Sequence, residues 1–150
     1  MNDKAKQWID RYVDVHLLVT RRINAQIREH LGEDLTNDQF QVVRLINSMT
    51  HCTSSLLAEQ LAVGKSSITA IINRLVDAGI IQRTRDESDR RIVYLSLTDY
   101  GATIFESAHE QVREIISPYL QHFEDKDIEM FISMFEKLGH LMQESGGRKN

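Results

Sequence analysis

Residues 56–79, LLAEQLAVGKSSITAIINRLVDAG, hold two apolar stripes of helical period with too few residues between them for anything but a tight turn. Leu57, Ala58 and Leu61 form the stripe of a short first helix. The turn falls near Val63-Gly64. Ile68, Ile71, Ile72, Leu75 and Val76 form the inward face of a longer second helix, which Gly79 ends. Two helices joined this closely are a helix-turn-helix, a unit that must pack on other elements to bury its apolar faces. The outer face of the second helix carries Lys65, Ser66, Ser67, Thr69, Ala70, Asn73 and Arg74. These are short polar groups, small side chains and two long cations.

Strand periodicity follows at once. In RIVYLSL, residues 91–97, Val93, Leu95 and Leu97 alternate with Ile92, Tyr94 and Ser96, which directs the former set to the core. Ile80–Arg85 is the expected partner strand, and Asp86-Glu87-Ser88-Asp89 has the composition of a hairpin tip. A helix-turn-helix followed by a hairpin is a winged helix. The net charge of −4 disfavours a nucleic-acid partner only until it is divided along the chain. Residues 64–91 hold six basic side chains (Lys65, Arg74, Arg83, Arg85, Arg90, Arg91) against four acids, a balance of +2 that leaves −6 for the rest. Residues 98–150 carry ten acids against five bases. The middle is the candidate footprint, because local asymmetry steers a polyanion more than the total does. Acids at a wing tip would repel phosphate. They make sense if Asp89 pairs with a neighbouring arginine and holds its guanidinium extended toward a narrow, negative minor groove.

The flanks are helical. Seven glycines and one proline leave few breaks. Residues 5–31 read as one long helix with Trp8, Tyr12, Val15 and Val19 in a stripe, and Gly32 as its stop. Thr36-Asn37-Asp38-Gln39 matches a capping box, with Leu35 and Phe40 as the hydrophobic staple, so a second helix runs to about Met49. Thr98 caps a connecting helix over 98–121, which Pro118 should kink or end. A last helix over about 125–144 carries Ile128, Phe131, Ile132, Phe135, Leu138, Leu141 and Met142, and Ser145–Asn150 should fray. The fold class is therefore mostly α (α+β). The winged helix-turn-helix lobe occupies 35–101, and dimerisation helices occupy 1–34 and 118–146, because one small lobe cannot cover both terminal stripes.

The segment DESDRRIVYLSLTDYG resembles the wing signature of the MarR (multiple antibiotic resistance regulator) family, with Asp89, Arg91, Leu97, Thr98 and Gly101 at the matching places. LTNDQFQVVRLI is similar to that family's second helix, and LLAEQLAVGKSSITAIINRLVDAGIIQR to its helix-turn-helix and first wing strand. The likeness is specific over about residues 35–101. It implies a homodimeric winged-helix transcription regulator on a pseudo-palindromic double-stranded operator, usually a repressor released by a small ligand or an oxidant. Where the family often has Ser or Thr before the recognition helix, this chain has Gly64, an acceptable N-cap. The expected DNA-contacting set is Lys65, Ser66, Ser67, Thr69, Ala70, Asn73, Arg74, Arg85, Asp89, Arg90 and Arg91. Asn73 and Arg74 have the reach for base edges, and the hydroxyls suit phosphates. An aromatic or amphipathic effector is expected between the dimer helices and the lobe. Its walls would be Tyr12, His16, Phe40, Met49 and Ile104, with Arg21 or Arg44 as anion partner.

Other chemistries find no support. Ser, His and Asp are scattered without a nucleophile elbow, and no glycine-rich loop could cradle phosphate, so no enzyme is expected. Neither His51-Cys52 nor Glu106 with His109 makes a metal site, and Phe40 and Gln41 stand where zinc-sensing members carry ligands; no metal or cofactor is expected. Cys52, the one cysteine, reads as a half-buried structural thiol and suits a reducing cytoplasm. Neither a membrane span nor a signal peptide is expected. Two alternatives stay open: a constitutive DNA-binding regulator without effector, and a winged-helix protein-interaction module. Steep salt dependence would mark the DNA binder.

Overall fold

The computed structural model describes residues 1–31 and 35–146. Its elements are α1 (Asp3–Leu31), α2 (Asn37–Ser48), α3 (Ser54–Leu61), α4 (Lys65–Asp77), β1 (Ile81–Arg85), β2 (Val93–Leu97), α5 (Asp99–Leu120) and α6 (Asp125–Gly146). The expected stop at Gly32 and residues 147–150 lie outside the described residues; Ser145 and Gly146, expected to fray, are instead the last residues of α6.

Helix α2 begins where its sequence directs. The backbone N–H of Gln39 donates to Thr36 Oγ1 at 3.2 Å, and the N–H of Thr36 donates to Gln39 Oε1 at 3.1 Å. Two end groups that would otherwise lack partners satisfy each other. Leu35 and Phe40, the staple pair, are both buried. From this fixed start α2 sends Val42, Val43 and Ile46 inward and becomes the centre of the lobe. It packs against α1, α3, α4, α5 and β2. Leu57, Ile68, Ile72, Leu75, Ile81, Leu95 and Phe105 complete the core around it. Each such side chain contributes about 1.5–3 kcal/mol on leaving water.

The reversal between α3 and α4 starts one residue earlier than the Val63-Gly64 reading. Ala62 takes the left-handed conformation, φ 51° and ψ 43°, and caps α3. Its N–H donates back into the helix, and Val63 N–H donates to the Ala58 carbonyl at 3.1 Å. An alanine in this region costs about 1–2 kcal/mol, which the satisfied carbonyls of α3 offset. Gly79, at φ 72°, ends α4 in the same region, where glycine carries no such penalty.

The wing is a two-stranded antiparallel sheet in the register Ile81↔Leu97 to Arg85↔Val93. Leu95 is buried, and Val93 and Leu97 are half-buried. A third partner sits on the far side of β2: Leu95 N–H donates to the Cys52 carbonyl at 2.8 Å in an antiparallel bridge. The Cys52 side chain is fully buried rather than half-buried, and that burial pushes its thiol pKa up. Ile80 is not part of β1. Its carbonyl accepts instead from Thr98 N–H at 3.0 Å, and Thr98 Oγ1 donates to the Gly79 carbonyl while accepting from Gly101 N–H. Thr98 thus caps α5 and ties it to the end of α4. Gly101 makes the approach feasible, since a Cβ there would lie 1.9 Å from the Ile80 carbonyl oxygen.

Pro118 does not end α5, which runs two residues further to Leu120. A proline this near the C-terminus removes one N–H from the final turn without breaking the ladder before it. Outside the lobe little is covered. Only Ile27 and Leu31 of α1 are buried, and no residue of α6 is. Trp8, Tyr12, Val15, Leu18 and Val19 on α1, with Phe131, Met134, Phe135, Leu141 and Met142 on α6, are all between 46 and 66 % exposed. Among the described residues, no helix is long and apolar enough to cross a membrane.

Candidate nucleic-acid interface

Burying Ile68, Ile72 and Leu75 fixes the rotation of α4 about its axis. Lys65, Ser66, Ser67, Thr69, Ala70, Asn73 and Arg74 are consequently all exposed on the outside. Gly64 caps the helix without a side chain, so the first-turn amides stay open to an anion. Thr69 does not present its hydroxyl proton, which is donated to the Lys65 carbonyl at 2.8 Å. Asn73 is engaged across elements: Arg83 Nη2 on β1 donates to its Oδ1 at 2.5 Å.

The wing tip is organised by one carboxylate. Asp86 Oδ1 accepts from the backbone N–H of Ser88 at 2.8 Å and of Asp89 at 2.9 Å, and Oδ2 accepts from Tyr94 OH at 3.0 Å. The Asp89 amide, then the Ser88 amide and the Tyr94 hydroxyl, hold the Asp86 carboxyl below its usual range. The same bond pushes the Tyr94 phenol up. His51 packs against the Tyr94 ring, with centroids 5.0 Å apart.

Asp89 pairs with Arg91. Arg91 Nε donates to Oδ1 and Nη2 to Oδ2, each at 3.0 Å, and Arg91 N–H adds a third bond at 3.1 Å. The guanidinium lowers the Asp89 pKa, and the carboxylate raises that of Arg91. The Arg91 side chain remains 90 % exposed. So open an ion pair contributes little stability by itself. Its effect is orientation, since a two-point pair holds a planar fork in one direction. Arg85 turns inward to the tip and donates to the Arg90 carbonyl at 2.9 Å, while Arg90's own side chain is exposed.

Of the expected set, Thr69 on α4 and Arg85 on the wing line one cleft between the two. That cleft, about 300 Å³, is lined by Ser54, Thr69, Ile72, Arg83, Arg85, Val93 and Leu95. Arg83 and Asp86 stood outside the expected site: the Arg83 partner, Asn73, lies ten residues away on another element, and Asp86 is expected only as part of the turn whose backbone it in fact holds. The proposed effector walls fall into separate groups. Tyr12 and His16 stack on the exposed part of α1 with centroids 5.5 Å apart, and Arg21 is exposed on the same helix. Phe40 is buried in a stack with Phe105 and His109. Arg44 donates to His109 Nε2 at 2.9 Å, and burial, then Arg113 and Arg44, lower the His109 pKa. Met49 is half-buried at the end of α2. Ile104 borders a gap of only about 10 Å³ beside Leu31 and Leu35. Among the described residues, no three His, Cys, Asp or Glu side chains converge as a metal site requires.

Arg91→Ala is expected to weaken binding of any duplex several-fold and to make its salt slope shallower by about one unit. Asp89→Ala should reproduce part of the loss despite removing a negative charge. Anisotropy titrations at matched salt check both; unchanged or tighter binding by the two variants would refute a wing contact.

A family model described as MarR family matches residues 35–93. The chain is 28% identical over 120 residues to the HTH-type transcriptional regulator YpoP of Bacillus subtilis, covering 80% of this chain and 85% of that one. It is 31% identical over 104 residues to the HTH-type transcriptional regulator FarR of Neisseria gonorrhoeae, covering 68% of this chain and 71% of that one. Its fold is similar to that of a cysteine-to-serine mutant of MarR from E. coli complexed with operator DNA. That match has a TM-score of 0.73 and 24% identity over 87% of this chain and 94% of the other.

Proposed function

Since the chain belongs to the MarR family of transcriptional regulators, we propose that it binds a pseudo-palindromic operator as a homodimer and represses transcription until a small aromatic or amphipathic ligand releases it. The chain is a DNA-binding regulator and not an enzyme. One observation supports the DNA geometry of this reading: Asp89 holds the exposed Arg91 guanidinium in one direction, on a wing whose first strand packs against α4, the helix with the exposed polar face. In this reading α4 enters the major groove and supplies sequence choice, and the wing tip reaches the adjacent minor groove and supplies affinity. The uncovered stripes on α1 and α6 support a dimer, which would set two α4 helices about one DNA turn apart.

Release needs only a ligand with unequal affinity for two arrangements of the dimer. A tenfold loss of operator affinity corresponds to about 1.4 kcal/mol of coupling, well within what a small molecule in an apolar cleft supplies. A constitutive regulator is the second reading, and the packing behind α2 supports it. The Phe40–Phe105–His109 stack occupies that space, with Arg44 bonded to His109.

The test is a titration of selected duplex across salt, repeated with a panel of phenolic and carboxylate compounds. Affinity is expected to fall by about a thousandfold or more between roughly 50 and 200 mM salt. At least one compound should raise the melting temperature and release the duplex. Salt-insensitive binding would overturn the DNA geometry, and a silent panel would replace release by the constitutive reading.

A further inference from the structure

Arg83 donates to Asn73 Oδ1 across the gap between β1 and α4. The two atoms of an amide are told apart by their partners, and here the partner decides it. A guanidinium has only donors, so the atom facing it must be the Asn73 carbonyl oxygen. That leaves the Nδ2 amino group, with two hydrogens and no partner among the described residues, as the outward end of an exposed side chain on α4.

The consequence is a change of reading chemistry. A free asparagine is suited to adenine, because it can accept from N6 while donating to N7. With Arg83 on its oxygen, one of the two acceptor positions of Oδ1 is filled and the amino group is left to donate. A second donor approaching Oδ1 would meet the cationic guanidinium, so the N6 amino group of adenine is opposed. Guanine suits what remains best: its major-groove edge shows two adjacent acceptors, N7 and O6, for the two amino hydrogens, whereas adenine sets a donor beside N7 and thymine offers the single acceptor O4 beside its methyl group. We infer that Arg83 is a positioning residue that fixes Asn73 as a donor, so that the base pair Asn73 reads is G·C and not A·T. This rests on the operator-binding reading of α4 and adds the sequence choice of one position in each half-site. Arg83 acts through Asn73 and needs no contact with DNA.

The experiment is enrichment of duplexes from a randomised library by the full-length protein, as wild type, Asn73→Ala, Arg83→Met and Arg83→Lys. Melting curves run alongside, and both side chains are exposed, so the variants are expected to fold. The wild type should enrich a motif with G·C at the one half-site position whose preference Asn73→Ala erases. Arg83→Met frees the amide to turn and should shift that position toward A·T by about tenfold. Arg83→Lys retains one donor and should restore G·C. An A·T pair at the Asn73 position in the wild type overturns the inference alone. So does an Arg83→Met motif unchanged at that position, or an Asn73→Ala motif unchanged everywhere. A failure of every form to enrich any motif overturns the operator-binding reading itself.

Discussion

Gly101→Ala is expected to lower stability by about 3 kcal/mol or more, a fall in melting temperature of roughly 6–12 °C for a chain of this size. The added Cβ would lie 1.9 Å from the Ile80 carbonyl oxygen and 2.8 Å from its carbonyl carbon. Both obstacles are backbone, so no rotamer change relieves the clash. The first turn of α5 would have to back away from Ile80, which strains the Thr98 bonds to Ile80 and Gly79 together. Those bonds fix where the connecting helix leaves the lobe. Gly64→Ser is the control. A Cβ there meets nothing within 4 Å, and serine should improve the α4 cap by a few tenths of a kcal/mol. Chemical denaturation of both variants checks the pair. A Gly101→Ala protein as stable as wild type would mean that α5 and Ile80 are not in this contact.

Phe131→Glu combined with Phe135→Glu is expected to convert the protein to a folded monomer that has lost at least about a hundredfold in operator affinity. The two rings stack on each other with centroids 5.6 Å apart, and both are about half exposed in the single chain. They contribute nothing to the lobe's core, since no α6 residue is buried. Stability of the lobe should therefore survive, while an apolar surface that a soluble monomer rarely shows is replaced by charge. The affinity loss follows from geometry. Two linked half-site readers bind the second site at a high effective concentration, and a monomer forfeits that gain without losing any contact of its own. Light scattering gives the mass and anisotropy gives the affinity. A dimer that persists, or a monomer with undiminished affinity, would refute the assignment of this face.

What the sequence disclosed, and what it hid, follows sequence distance. The Thr36–Gln39 box, the Thr98 cap and the Asp89–Arg91 pair all involve residues two or three apart, so local chemistry determines them. The winged lobe was legible because a stripe of period 3.6 turning into alternation admits few packings. The Arg83–Asn73 bond spans ten residues and the Arg44–His109 bond spans 65, and no periodicity encodes such meetings. Ala62 misled for another reason: alanine carries no propensity for the left-handed region, so the glycine two residues on drew the turn toward itself. Effector walls leave no distinct mark in a sequence, since apolar residues that would line a ligand look like core residues: Phe40 is buried, and Tyr12 sits on an exposed stripe.

The Asp86 carboxylate has a consequence for timing. A hairpin tip over residues 86–92 would ordinarily be a mobile loop, and fixing each backbone residue costs about 1–2 kcal/mol of conformational entropy. Here the ordering is done within the folded chain, by a carboxylate whose bonds to the Asp89 and Ser88 amides and the Tyr94 hydroxyl hold its pKa below the usual range. In the proposed complex the wing would therefore arrive at a duplex already shaped. Little of its binding free energy would go into organising the tip, and the encounter would not wait for a loop to find its conformation.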